Sequence, residues 1–175
     1  MEKDTGSFED IARNKLAQAI DDLESADILL GADKYRAANN RAYYAVFHAI
    51  DAVLSMEPVA FKKHKDVIAY FNKNYVNKDV FSRDMGRKIS KLEIIRHKSD
   101  YDDFYIASKL DTVNQVTIAK EIIGEIKTYL NMEPWEIRIA SYLPRESILL
   151  IWKKQDLDLN IILFFLTASI RSLSK

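Results

Sequence analysis

From Phe8 onward the apolar residues recur at spacings of three and four, the period of a helix that buries one face. The first such run is Phe8, Ile11, Leu16, Ala19, Ile20, Leu23, Ala26 and Leu30. Ser7 stands where its hydroxyl can cap the first amides, with Asp10 as its capping-box partner three residues on. Gly31 ends this helix, and Asp33 is placed to cap the next. The second run, about Lys34 to Met56, carries Tyr43, Val46, Phe47, Ile50, Val53 and Leu54 on its core side and is stopped by Pro58. A third helix is predicted from about Lys62 to Tyr75, with Val67, Ile68, Tyr70 and Phe71. A fourth runs from about Val80 to Lys98, with Met85, Ile89, Leu92 and Ile95 inward and Gly86 as its weak point. The fifth, about Phe104 to Asn131, takes Ile106, Leu110, Val113, Val116 or Thr117, Ala119 or Lys120, Ile123, Ile126 and Leu130 as its inward set. Short connections imply antiparallel neighbours. The expected fold is all-α, an antiparallel up-and-down bundle of four to five helices with a C-terminal helical extension.

After Pro134 the texture changes. Trp135, Ile137, Ile139, Tyr142 and Leu143 are followed by the dense apolar runs Ile148 to Trp152 and Ile161 to Leu166. Two regions are therefore expected: a bundle over 1–131 and an apolar extension over 132–175 that packs on the bundle or on a dimer mate. Its most apolar part, Leu157 to Ile170, contains Asp158 and Asn160 and falls short of the roughly 20 residues needed to cross a bilayer. No membrane association is expected.

Composition sharpens this picture. Only four glycines and three prolines in 175 residues leave long stretches free of helix breakers. With 26 basic and 26 acidic residues the net charge is zero, so any contact with nucleic acid has to come from a local patch. The absence of cysteine removes disulfides and thiolate chemistry. No apolar run follows a basic cluster at the start, so no signal peptide is read and the cytoplasm is the expected compartment.

Three groups of residues bear on chemistry. Arg41, Tyr44, His48 and Asp51 recur at three, four and three residues and line one side of the second helix, either as a solvated face or as part of a cleft. His64 opens the third helix among Lys62, Lys63 and Lys65, where positive neighbours and the helix N-terminus disfavour its protonation. It suits either a proton acceptor or a residue that orders the interhelix loop. Arg96 falls at the margin of the inward face of the fourth helix and needs a partner. Asp100, four residues on, provides a clamp at the helix end if the helix persists. His48, His64 and His97 lack metal-ligand spacing, so no metal site and no cofactor are expected.

Three segments together resemble a branch of small prokaryotic HEPN proteins: Ala38 to Phe47, Lys63 to Ile68 with Phe71, and Leu92 to Asp102. The resemblance spans about residues 8–131. It implies a bundle of four or five helices, usually a homodimer with facing polar clefts. Many members are metal-independent endoribonucleases, often toxins paired with a minimal nucleotidyltransferase. Their motif is an Arg, an adjacent polar residue and a His five residues after the Arg. Arg96 matches the first and His97 the second, while Tyr101 occupies the histidine position. Arg96, Tyr101 and His97 are thus the catalytic candidates, with Arg41, Tyr44, His48, His64 and Asp100 as ligand-binding candidates. A phenol with pKa near 10 is a poor base at neutral pH. A nucleotide- or RNA-binding protein acting with a nucleotidyltransferase in a toxin–antitoxin-type pair is the leading expectation. Weak ribonuclease activity and a non-catalytic adaptor with an apolar tail are the alternatives.

Overall fold

The computed structural model describes residues 7–132, and the expected extension beyond Met132 lies outside the described residues. Five α-helices follow in order: α1 (Phe8–Gly31), α2 (Tyr35–Leu54), α3 (His64–Phe71), α4 (Arg83–Tyr101) and α5 (Lys109–Leu130). Among the described residues there is no β-strand. The architecture is an antiparallel all-α bundle in which α2 is central and packs on α1, α3, α4 and α5. Twelve of its 20 residues are buried, which is why its apolar stripe reads so clearly.

The α1–α2 hairpin is the most extensive pairing. Its seam is built of alanine: Ala12, Ala19 and Ala26 at seven-residue intervals on α1 face a bundle side of α2 that includes Ala38, Ala42, Ala45, Ala49 and Ala52, all fully buried. Small side chains at such a seam allow close packing of two helices. Bulk is supplied from the other helices by Phe71, Met85, Ile89, Leu92, Ile122 and Ile126.

Several boundaries differ from the periodicity, each for a local reason. Ser7 does cap α1, and its capping box with Asp10 is complete. Phe8 and Ile11 are nevertheless exposed, because Ala12 and Leu16 set the inward phase. Asp33 does not cap α2. It adopts a left-handed conformation (φ 56) that turns the chain, and its carboxylate accepts from the Tyr35 hydroxyl. The third helix begins at His64 and changes to a π-helical turn over Asn72–Val76, which brings Tyr75 and Val76 into the core behind Phe71. Tyr75 stacks on Phe71 and donates to Glu57, which also accepts from Tyr70.

α4 starts at Arg83 rather than Val80, since left-handed Asp79 breaks the chain and the Ser82 hydroxyl accepts from Met85 N. It persists past Lys98 to Tyr101 because Arg36 of α2 donates to the carbonyls of Ser99 and Asp102, satisfying acceptors that a helix end leaves free. α5 starts at Lys109, capped by Ser108, so Phe104 and Ile106 belong to a connecting loop. The expectation that Ile106, Leu110 and Val113 face inward is not met: they are exposed, Phe104 and Ile106 by 94% and 89%. The inward face of α5 instead runs through Thr112, Gln115, Val116, Ala119, Ile122, Ile123 and Ile126.

Candidate functional site

The polar ridge of α2 does not point into open solvent along its length. It meets residues from α1, α3 and α4. On the α4 side, Arg96 Nη2 donates to the Tyr44 hydroxyl at 2.9 Å. Arg96 Nε lies 2.9 Å from Asp100 Oδ2, but its N–H is not directed along that contact, so this is an ion pair without a hydrogen bond. The guanidinium carbon sits 5.5 Å from the ring centres of Tyr43 and Tyr44 and 5.7 Å from that of Tyr101. Rings at this range favour a cation electrostatically. Burial works against the charge of Arg96, but the Tyr44 hydrogen bond and the nearby Asp100 and Tyr101 outweigh it and hold its pKa above the ordinary arginine value.

Asp100 is fixed from a second side by Asn40 of α2, whose amide donates to Oδ1. The pair anticipated four residues apart is therefore present, and it is tied to α2 as well. Tyr101 is 67% exposed and forms the outer wall of the cluster. His97 is exposed on the outside of α4, its ring 4.9 Å from that of Tyr101.

On the α1 side, Asp22 organises the ridge. Its Oδ1 accepts from Arg41 Nη1 at 2.9 Å, and its Oδ2 lies 2.9 Å from His48 Nδ1. The Asp22 side chain is only 13% exposed. Arg41 also stands over the Tyr44 ring at 5.0 Å. Asp51, at the far end of the ridge, pairs with Lys15 of α1 at 3.0 Å. His64 opens α3 and stacks on Phe47 at 4.0 Å, with an edge contact to Tyr44.

The fold thus gathers Arg41, Tyr44, His48, His64, Arg96, Asp100 and Tyr101 around the Tyr44 ring, and sets His97 behind Tyr101. Two arginines, each matched by one carboxylate, and a wall of rings make a place where an anion with a planar base can displace carboxylates from guanidinium groups and stack. Asp22 and Asn40 are the members that periodicity does not single out. A signal exists for Asp22: it stands three residues after Ala19 and four before Ala26, in the inward phase of α1. Among the described residues no three His, Cys, Asp or Glu side chains are grouped to share a metal ion. No helix among them is long and apolar enough to cross a membrane. An open groove between α4 and α5, lined by Arg87, Lys91, Asn114 and Glu121 among others, shares no residue with the Arg96 cluster.

The described residues form an all-helical bundle with Arg96, His97 and Tyr101 near the end of its fourth helix. The HEPN domain profile matches residues 12–129. The chain belongs to the HEPN family. It is 38% identical over 138 residues to a UPF0332 protein of Pyrococcus horikoshii, covering 79% of this chain and 81% of that one. It is 40% identical over 83 residues to a protein of Methanocaldococcus jannaschii named "Putative toxin", covering 47% of this chain and 62% of the relative. A UPF0332 protein of Thermotoga maritima is 31% identical over 81 residues, 46% of this chain and 61% of the relative. The chain thus spans about three-fifths of the length of these last two relatives.

Proposed function

We propose that this chain binds RNA or a nucleotide through the Arg96 cluster, as a homodimer, and works with a nucleotidyltransferase protein as one half of a toxin–antitoxin-type pair. The observation that carries the binding reading is Arg96 itself: a guanidinium fixed by the Tyr44 hydroxyl, within 5.7 Å of three tyrosine rings, with its side chain 21% exposed. A phosphate oxygen pairs with the part of the guanidinium that remains exposed, and a base stacks on the exposed Tyr101. The partner reading leans on the Methanocaldococcus jannaschii relative named "Putative toxin".

The homodimer reading is supported by the loop before α5 and the first turn of that helix. Phe104, Ile106 and Leu110 are exposed by 94%, 89% and 79%, beside Tyr101. So many large apolar side chains in one short stretch favour burial against another surface, and a second copy brings the same stretch and a second Arg96 cluster to the contact. Sedimentation equilibrium of the wild type against Ile106→Asp with Leu110→Asp checks this, with a dimer expected for the first and a monomer for the second.

Fluorescence anisotropy with labelled single-stranded RNA and with ATP tests the binding reading. Arg96→Ala is expected to weaken binding at least tenfold while its circular dichroism stays helical. Equal binding by wild type and Arg96→Ala sinks it.

A further inference from the structure

We propose that His48, oriented by Asp22, is the general base of an RNA-cleaving site in this chain. The proposal rests on the reading that the Arg96 cluster holds RNA, and it answers the difficulty that Tyr101 stands where a histidine is expected.

A base for neutral pH needs an imidazole with one nitrogen committed and the other free. His48 meets this. Its Nδ1 is 2.9 Å from Asp22 Oδ2, so the carboxylate holds the hydrogen on Nδ1 and leaves the lone pair on Nε2. Among the described residues no protein group bonds to Nε2. Asp22 is held in turn, because its other oxygen takes Arg41 at 2.9 Å and the side chain is nearly buried. The His48 side chain is 25% exposed, which lets a ligand reach it.

Asp22 is the carboxylate in contact with His48. From α1 come Asp22 and Lys15. From α2 come Arg41 and Asp51, the latter neutralised by Lys15. α3 brings His64, flanked by the exposed Lys62, Lys63 and Lys65, and α4 brings Arg96 with Asp100 through Tyr44. On α5, Lys120 and Glu121 are engaged by Asp27 and Lys88. Asp22 is thus the carboxylate that stabilises an imidazolium at position 48.

The His48 ring is 6.3 Å from that of Tyr44, and Arg96 stands 5.5 Å from the Tyr44 ring and 5.7 Å from that of Tyr101. In the proposed step His48 Nε2 takes the proton of a ribose 2′-hydroxyl, and the 2′-oxygen forms a bond to the adjacent phosphorus. The bond from phosphorus to the 5′-oxygen breaks with its electron pair on that oxygen, which takes a proton from the Tyr101 phenol. The products are a 2′,3′-cyclic phosphate and a 5′-hydroxyl. Water returns a proton to Tyr101 and removes one from His48. Arg96 and Arg41 stabilise charge on the phosphoryl oxygens.

The test uses the full chain in EDTA with a fluorescein-labelled single-stranded RNA of mixed sequence, following anisotropy and cleavage in parallel. Wild type is expected to bind and to leave 2′,3′-cyclic phosphate ends. His48→Ala and His48→Gln, the second keeping a polar side chain in place, are expected to lose cleavage by about a hundredfold, far more than they lose RNA binding. Added imidazole restores part of the His48→Ala rate. Asp22→Asn moves the acid limb of the pH–rate profile to lower pH, because the imidazolium loses its carboxylate, a change that a merely structural role does not produce. Wild type that binds RNA and leaves it intact overturns this inference alone, as does cleavage that survives both His48 variants. Protein that binds no RNA overturns the binding reading as well.

Discussion

Arg96 of α4 and Tyr44 of α2, 52 positions apart in the chain, are joined by a 2.9 Å hydrogen bond from the guanidinium to the phenol. This bond ties the helix that carries the polar ridge to the helix that carries the motif arginine. Each half of the cluster is therefore held by the other, and disturbing one moves both.

Tyr44→Phe removes the acceptor and keeps the ring. A hydrogen bond involving a charged group contributes roughly 1.5–3 kcal/mol, at the lower end here because Arg96 is 21% exposed. The variant is expected to lower the urea midpoint accordingly and to weaken RNA binding several-fold. An unchanged midpoint argues that the bond is not formed in solution.

Tyr101→His places an imidazole where the HEPN ribonuclease motif has one, next to Arg96. A group with pKa near 6.5 exchanges protons at neutral pH far better than a phenol near 10. Cleavage of RNA is expected to rise by about tenfold or more in this variant and to vanish when Arg96→Ala is added. Activity indifferent to both substitutions identifies a contaminating nuclease.

Arg36→Met keeps the aliphatic stem and deletes the donors to the Ser99 and Asp102 carbonyls. The last turn of α4, with Asp100 and Tyr101, is then expected to fray. Hydrogen exchange should quicken over 99–103 while α1 and the middle of α2 stay protected, with a loss of about 2 kcal/mol in stability.

Alkaline pH should destabilise the bundle. Burial, with Glu93 and Tyr44 adding to it against Arg96, pushes Tyr43 from 10.0 up to about 12. Burial and the hydrogen bond to Glu57 raise Tyr75 as well. Below about pH 10 both phenols are protonated in the folded and unfolded chain, and stability is unaffected. Above it the unfolded chain releases these protons first, so stability falls as pH climbs from 10 through 12. Tyrosinate absorbance should show a late-titrating class, and Tyr43→Phe should make the pH midpoint of unfolding less steep.

The helices, their number and the buried stripe of α2 were legible along the chain because a 3.6-residue period records burial on one face. The capping box at Ser7 and the Arg96–Asp100 pair were legible too, since both join residues three or four apart. Family membership followed from three ordered segments. Cross-helix bonds leave no such periodic trace. Only the packing of α1 on α2 sets Asp22 against Arg41 and His48. Only the packing of α4 on α2 gives Arg96 its Tyr44 partner and lets Arg36 extend α4 to Tyr101. The same packing decided that Ile106 and Leu110 face out although their spacing suits a core, because a loop runs to Ser108 and α5 presents Thr112, Gln115 and Val116 to the bundle instead. Periodicity reports which residues share a face, and contacts between distant segments determine which face is covered.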